Sequence, residues 1–256
     1  MIDTHIHFNS KALSSVWREA LSRAENAGVK ACIVVGYDLA SSERAVALAE
    51  TDTRLYATVG IHPHDAEHWN ADSEKKLSTY LEHPRVVALG EIGLDFYRDL
   101  SPRDAQYAAF SAQLTLAKEK NLPVVIHCRD AYDEALEVLE AEAGGLNVVL
   151  HCFGGNLEQA KRAWSHGWYI GVDGPVTFKK NEALREIIAA CPPELLVLET
   201  DCPWLAPEPF RGKFPNEPAW LPHVAEAVAR TRGTSVTELD ALTTANAQRL
   251  FPKLSL

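Results

Sequence analysis

The chain has 256 residues, 46% of them apolar and 23% charged, a composition that excludes disordered, fibrous and membrane-embedded classes. Its 25 basic and 35 acidic residues give a net charge of −10. That argues against a non-specific DNA or membrane binder with a basic face, although bound divalent cations can reverse the sign locally at a phosphate site.

Taken in chain order, β-rich runs are predicted at residues 2–7, 30–36, 54–61, 86–91, 123–127, 147–151, 168–172 and 194–200. Amphipathic helical patterns lie between them, among others at 11–28, 102–121, 131–143 and 156–166, and end at Gly28, Asn121, Gly144-Gly145 and Gly167, residues suited to helix C-caps. Cys32-Ile33-Val34-Val35 and Val124-Val125-Ile126 are continuous apolar runs, as expected of parallel strands covered on both faces. Eight strands alternating with helices predict a (β/α)8 TIM barrel occupying residues 1–256 as a single domain. A doubly wound open sheet would show the same periodicity. Residues 203–218 carry five prolines with Arg211 and Lys213 among them, a stiff segment that in a barrel would lie over the C-terminal mouth.

The five cysteines include no C-x-x-C pair, so neither a disulfide framework nor a zinc ribbon is expected. The opening MIDTHIHF has no leader pattern and no apolar run reaches the roughly 20 residues of a membrane span, so a cytoplasmic protein without membrane association is expected. No heptad seam marks an obligate protein partner.

Ligand-capable residues fall at the strand ends. The first strand ends His5-Ile6-His7, with Asp3 on the same face; the third runs into Gly60-Ile61-His62-Pro63-His64; the fourth ends at Glu91, the fifth at His127, the sixth at His151, and the eighth in Glu199-Thr200-Asp201. Singly, each has a bland reading as a hydrogen-bonded histidine or a helix-capping acid. Convergence of four histidines and two acids at the C-terminal end of one barrel is costly unless they are paired or bind metal. His5, His7, Glu91, His127, His151 and Asp201 exceed one tetrahedral site, so two divalent cations are expected; imidazole with carboxylate is compatible with Zn²⁺, Mn²⁺, Mg²⁺, Fe²⁺ or Ni²⁺, and Mg²⁺ or Mn²⁺ are expected before Zn²⁺. Asp201 is placed to activate water. Cys128, Cys152 and Cys202 each follow a ligand and should turn toward the helices as core fillers. His68, His83, His166 and His223 read as surface or structural, and Gly154-Gly155 is a weak anion signal. There is no G-x-S-x-G elbow and no Gly-rich phosphate loop.

The segments IDTHIHF, GIHPHD, GEIGLDFYR, PVVIHCRDA, HCFGG, LETDCPWLAP and RGKFPNEP resemble, in order, the motifs of TatD-type metal-dependent hydrolases. The resemblance implies a (β/α)8 barrel and a metal-dependent 3′-to-5′ exodeoxyribonuclease acting on single-stranded DNA ends, in DNA repair or DNA degradation. It implies that His5, His7 and Asp201 hold one cation, that Glu91 bridges, and that His127 and His151 hold the other. His62 and His64 would face the substrate phosphate, with Arg129, Arg211 and Asn216 as further substrate contacts. A metal-dependent amidohydrolase or esterase, such as an aminoacyl-tRNA deacylase or a small-molecule hydrolase, could use a similar ligand set. Arg211, Lys213 and His64 favour phosphate, and Glu91 stands where amidohydrolase relatives often carry a carbamylated lysine. A non-catalytic scaffold would be expected to lack ligands, and all six positions are filled.

Overall fold

Apolar strand runs demand cover on both faces, and burial follows that demand: every residue of β1 (Ile2–Ile6), β2 (Ala31–Val35), β3 (Leu55–Val59) and β4 (Val86–Asp95) is buried. The computed structural model describes residues 1–256. It continues with β5 (Val124–Arg129), β6 (Val148–Leu150), β7 (Tyr169–Val172) and β8 (Leu196–Leu198). All eight strands are parallel and hydrogen-bonded in sequence order. The two ends of the sheet meet through a parallel bridge between Ile6 and Cys202. There the Asp201 N–H donates to the His5 carbonyl at 3.0 Å and the His7 N–H to the Cys202 carbonyl at 2.8 Å. A doubly wound sheet would break the strand order at a switch point. This one does not, and the barrel expectation holds.

The outer layer comprises α1 (Trp17–Asn26), α2 (Leu39–Thr51), α3 (Ala71–Tyr80), α4 (Arg103–Lys120), α5 (Tyr132–Glu142), α6 (Leu157–Ser165), α7 (Glu182–Ala190), α8 (Leu221–Arg232) and α9 (Val236–Leu250). Asp38 with Ser41, Asn70 with Ser73, Asn156 with Gln159 and Ser235 with Glu238 close reciprocal capping boxes, which satisfy otherwise orphaned N–H groups at helix starts. No helix is long and apolar enough to cross a membrane.

Strand ends differ from the sequence expectation where it matters for the site. β4 runs past Glu91 to Asp95, whereas β3, β6 and β8 stop short, so His62, His151 and Asp201 sit in the loops just beyond them. β4 can continue because residue 93 is glycine: a Cβ there would lie 2.0 Å from the His127 carbonyl oxygen.

Candidate active site

The C-terminal mouth of the barrel holds a cavity of about 820 Å³, bordered among others by His7, His62, His64, Glu91, His127, His151 and Asp201. His5 lies beneath it, fully buried. Its Nε2 is 3.1 Å from His7 Nε2, and Asp201 Oδ1 stands 3.4 Å from the latter. His7 Nδ1 is 3.2 Å from the Val35 carbonyl, which can only accept. In the neutral ring the proton is therefore on Nδ1, and Nε2 offers its lone pair toward His5 and Asp201.

Glu91 joins this group to a second one. Its Oε2 is 3.5 Å from His5 Nε2, while its Oε1 lies 2.9 Å from His127 Nδ1 and 2.8 Å from His151 Nε2. Burial alone would raise the Glu91 carboxyl, but the imidazoles of His151 and His62, with hydrogen bonds from His127 and His151, hold it well below the usual carboxylate range. Burial and the neighbouring His151 lower His5, whose ring stacks on that of His151 at 3.9 Å. The result is a buried anion ringed by imidazole nitrogens.

This donor set fits divalent cations. His5, His7 and Asp201 place one ligand atom each within 4.8 Å of one another, and Glu91 Oε1 lies 2.9 Å from His127 Nδ1 and 2.8 Å from His151 Nε2. Two imidazole nitrogens 3.1 Å apart in a dry core repel unless a proton or a cation lies between them, and mixed imidazole–carboxylate ligation suits several first-row metals and Mg²⁺.

His62 has a further constraint. Its Nδ1 accepts the His64 backbone N–H at 3.0 Å, so in the neutral ring the proton is on Nε2, 3.6 Å from Glu91 Oε1. Burial and the neighbouring His127 hold His62 well below its ordinary pKa. A neutral Nε2–H is a donor, suited to an anionic oxygen and not to ligating a metal. His64 turns its Nε2 to Asp95 Oδ2 at 2.8 Å, and His127 Nε2 meets the same oxygen at 3.0 Å.

Arg129 borders the cavity with its guanidinium 3.8 Å above the Tyr97 ring. Arg211 does not border it; its guanidinium lies 4.0 Å above Phe178. Asn216 is fully buried and commits its amide to the carbonyls of Thr200 (2.9 Å) and Trp204 (2.6 Å). It therefore clasps the loop at its base and does not reach the cavity, a correction to its expected substrate contact. Cys202 is buried as expected. Cys128, within β5, is buried in the core as expected and touches only the cavity edge, whereas Cys152 borders the cavity; β6 has ended at Leu150, and Cys152 lies in a turn at φ 43°, where strand alternation no longer applies. Burial and the nearby Asp173 carboxylate push the Cys152 thiol well up, so it stays protonated.

Sequence reasoning missed the carboxylates behind the histidines. Asp95 is buried and accepts from the Tyr97 and Arg98 N–H groups as well as meeting His64 and His127. Burial opposes its ionisation, but the hydrogen bonds from His127 and His64 outweigh that and hold it far below its ordinary value. Glu199 stands 3.6 Å from His151 Nδ1 and accepts the Cys152 N–H. Gly171 leaves it room: a Cβ there would be 2.3 Å from Glu199 Oε2. Asp95 was within reach of the strand pattern, four residues beyond Glu91. Trp204, which also borders the cavity, carried no signal beyond its place in the proline-rich segment.

Comparison with known proteins bears on the family and the fold. The profile of the family described as TatD related DNase matches residues 2–252. The uncharacterized metal-dependent hydrolase YabD of Bacillus subtilis is 38% identical over 252 residues, covering 98% of both chains. A protein of Enterobacter lignolyticus named 3′-5′ ssDNA/RNA exonuclease TatD is 38% identical over 256 residues, again covering 98% of both. Among solved structures, YJJV, a TatD homolog from Escherichia coli K12, superposes with a TM-score of 0.93 at 35% identity, covering 98% of each chain.

Proposed function

The chain belongs to the TatD-related DNase family of metal-dependent hydrolases, and on that premise we propose that it removes nucleotides stepwise from the 3′ end of single-stranded DNA. The observation that carries this reading is the position of Glu91, one oxygen turned to His5 and the other to His127 and His151. His5, His7 and Asp201 would hold one divalent cation and His127 and His151 the other, with Glu91 shared; Mg²⁺ or Mn²⁺ are the expected ions, with Zn²⁺ next. When bound, such a pair neutralises phosphate oxygens and acidifies water.

The protein's own groups then divide the work. His62 donates its Nε2–H to a non-bridging phosphate oxygen. Asp201, partly exposed to the cavity, orients the attacking water and takes its proton. The new bond joins the water oxygen to phosphorus and the P–O3′ bond breaks, releasing a 5′-mononucleotide; the departing O3′ takes a proton from solvent. His64 is held on Asp95 at the edge of the same phosphate, and Arg129 at the rim contacts the strand. The reading extends to cytoplasmic DNA repair or degradation, both of which produce frayed 3′ ends.

The test is hydrolysis of a 5′-labelled single-stranded oligonucleotide with Mg²⁺, Mn²⁺, Zn²⁺ or EDTA, alongside Asp201→Asn and Glu91→Ala. A ladder that needs metal and disappears in both variants supports the reading. An intact strand with metal-loaded wild-type protein overturns it, and amide and ester substrates then take precedence.

A further inference from the structure

Beyond Asp201, the loop after β8 has no part in the hydrolytic chemistry, yet it is built rigidly and loaded with aromatic rings and cations. Trp204 opens it. Its N–H donates to the Asp201 carbonyl at 3.0 Å, its ring is 5.1 Å from the His7 ring, and it is 46% exposed. One edge of the indole thus meets the ligand cluster while the rest faces the mouth.

Three fastenings fix the remainder of the loop. The Asn216 amide holds the Trp204 carbonyl. The Leu205 carbonyl packs against Gly174 so closely that a Cβ there would sit 1.8 Å from its oxygen. The Glu208 N–H donates to Thr177 Oγ1 at 2.8 Å, joining this loop to the one after β7. Beyond them Arg211 lies over Phe178 at 4.0 Å, and Lys213 Nζ lies 4.9 Å over Phe210, whose ring stacks on Trp220 at 4.4 Å. Both cations lie against aromatic faces, and the chain that presents them carries a net charge of −10.

Alternating aromatic faces and cations beside a phosphate-cleaving centre match the chemistry of a single polynucleotide strand, whose bases stack and whose phosphates need positive charge. Loops after the seventh and eighth strands are also the usual phosphate-binding side of such barrels. We propose that residues 203–214, with Phe178, form a binding track for the nucleotides on the 5′ side of the scissile phosphate. Trp204 takes the first base, and Arg211 and Lys213 take phosphates farther along. The proposal rests on the nuclease reading and adds to it where the uncleaved strand runs.

The experiment measures kcat and KM of the metal-loaded protein on oligothymidylates of two to eight nucleotides, for wild type, the double variant Arg211→Ala/Lys213→Ala, and Phe178→Ala. Lys30→Ala, a charge removed at the far end of the barrel, is the control. Alongside, binding of the octamer to Asp201→Asn is followed by fluorescence anisotropy against salt, with and without the double substitution. The expected wild-type KM falls with length. The double variant raises KM for the octamer about tenfold, two phosphate contacts being lost together, with little change for the dimer. Its log K against log salt slope shrinks by about 1.4, or ~0.7 for each single-strand phosphate contact. A wild-type KM independent of length, or a double variant that shifts dimer and octamer equally, overturns the track while leaving the nuclease reading intact. Absence of any polynucleotide cleavage defeats the nuclease reading instead. The salt-dependent binding then decides the track alone: an unchanged slope in the double variant overturns it, and a reduced one supports it.

Discussion

Thr200 gives its backbone N–H, at 3.0 Å, and its hydroxyl, at 2.7 Å, to the two carboxylate oxygens of Asp3. Both residues are fully buried, and the pair joins the first strand to the end of the last, one residue before Asp201. Asp3→Ala would leave a buried N–H and a buried hydroxyl without partners. A loss of about 2–6 kcal/mol in urea denaturation is expected, given ~1–3 kcal/mol for each stranded polar group. Because Asp201 follows Thr200 directly, activity should also fall in the fraction that remains folded.

Asp95 links two histidines with one oxygen, Oδ2, 2.8 Å from His64 Nε2 and 3.0 Å from His127 Nε2. This orients His127 so that Nδ1 meets Glu91. Carboxylates behind ligating histidines typically contribute 10–100-fold to metal affinity or activity. Asp95→Asn should therefore weaken divalent-metal binding by about that factor, measured by isothermal titration, with a smaller change in thermal stability. Unchanged metal affinity would show that Asp95 serves only the loop N–H groups of Tyr97 and Arg98.

The sequence pattern exposed the residues that end strands far better than the groups that aim them. His5, His7, His127 and His151 were legible because strand alternation and the βα rhythm put them at one end of the barrel. Asp95 was not, because the predicted fourth strand stops at Glu91, whereas Gly93 allows β4 to pass the His127 carbonyl and run on to Asp95. Glu199 was seen as part of a motif, but its contact with His151 joins residues 48 positions apart and depends on a glycine in β7. Asn216 misled in the opposite direction. The family resemblance implied a substrate contact for it, whereas the backbone of a proline-rich loop has few N–H donors of its own and recruits the amide to satisfy its carbonyls.

If divalent cations bind the folded site and not the unfolded chain, they stabilise the fold by mass action. A metal at about 100 times its Kd should add ~2.7 kcal/mol. Thermal melts with EDTA and with Mn²⁺ should therefore separate by several degrees in wild type. In His5→Ala/His7→Ala the separation should shrink, since the Glu91 group alone remains. Identical shifts in both proteins would place the stabilising ions elsewhere.

Glu238 predicts a small acid dependence. Its Oε2 accepts from the Ser235 N–H at 3.0 Å, the Ser235 hydroxyl at 2.7 Å and the Thr234 hydroxyl at 2.9 Å. The Ser235 hydrogen bonds are the largest cause of a carboxyl lowered to about 2 from an ordinary 4.5. A depressed carboxylate contributes its stability above the unfolded value and loses it as pH falls through the folded one, here between about 4.5 and 2. Glu238→Gln, neutral throughout, should melt slightly below wild type at neutral pH, and the gap should close as pH falls across that window. A gap that stays constant would assign the cap's value to geometry and not to charge.

Asn216 offers the clearest separation of structure from contact. Its amide donates to the Thr200 and Trp204 carbonyls, and its own carbonyl oxygen accepts the Glu217 N–H at 2.9 Å. Asn216→Ala strands the two carbonyls and should cost about 1–3 kcal/mol in urea denaturation. Asn216→Asp has the same shape but turns a carboxylate oxygen toward those carbonyls, so it should cost more than alanine despite its better fit. A substrate contact would leave both variants near wild-type stability, with only KM affected. Loosening the clasp also frees Trp204, whose base is present even in the shortest substrate, so KM should rise in Asn216→Ala for a dinucleotide as well as for a long oligonucleotide.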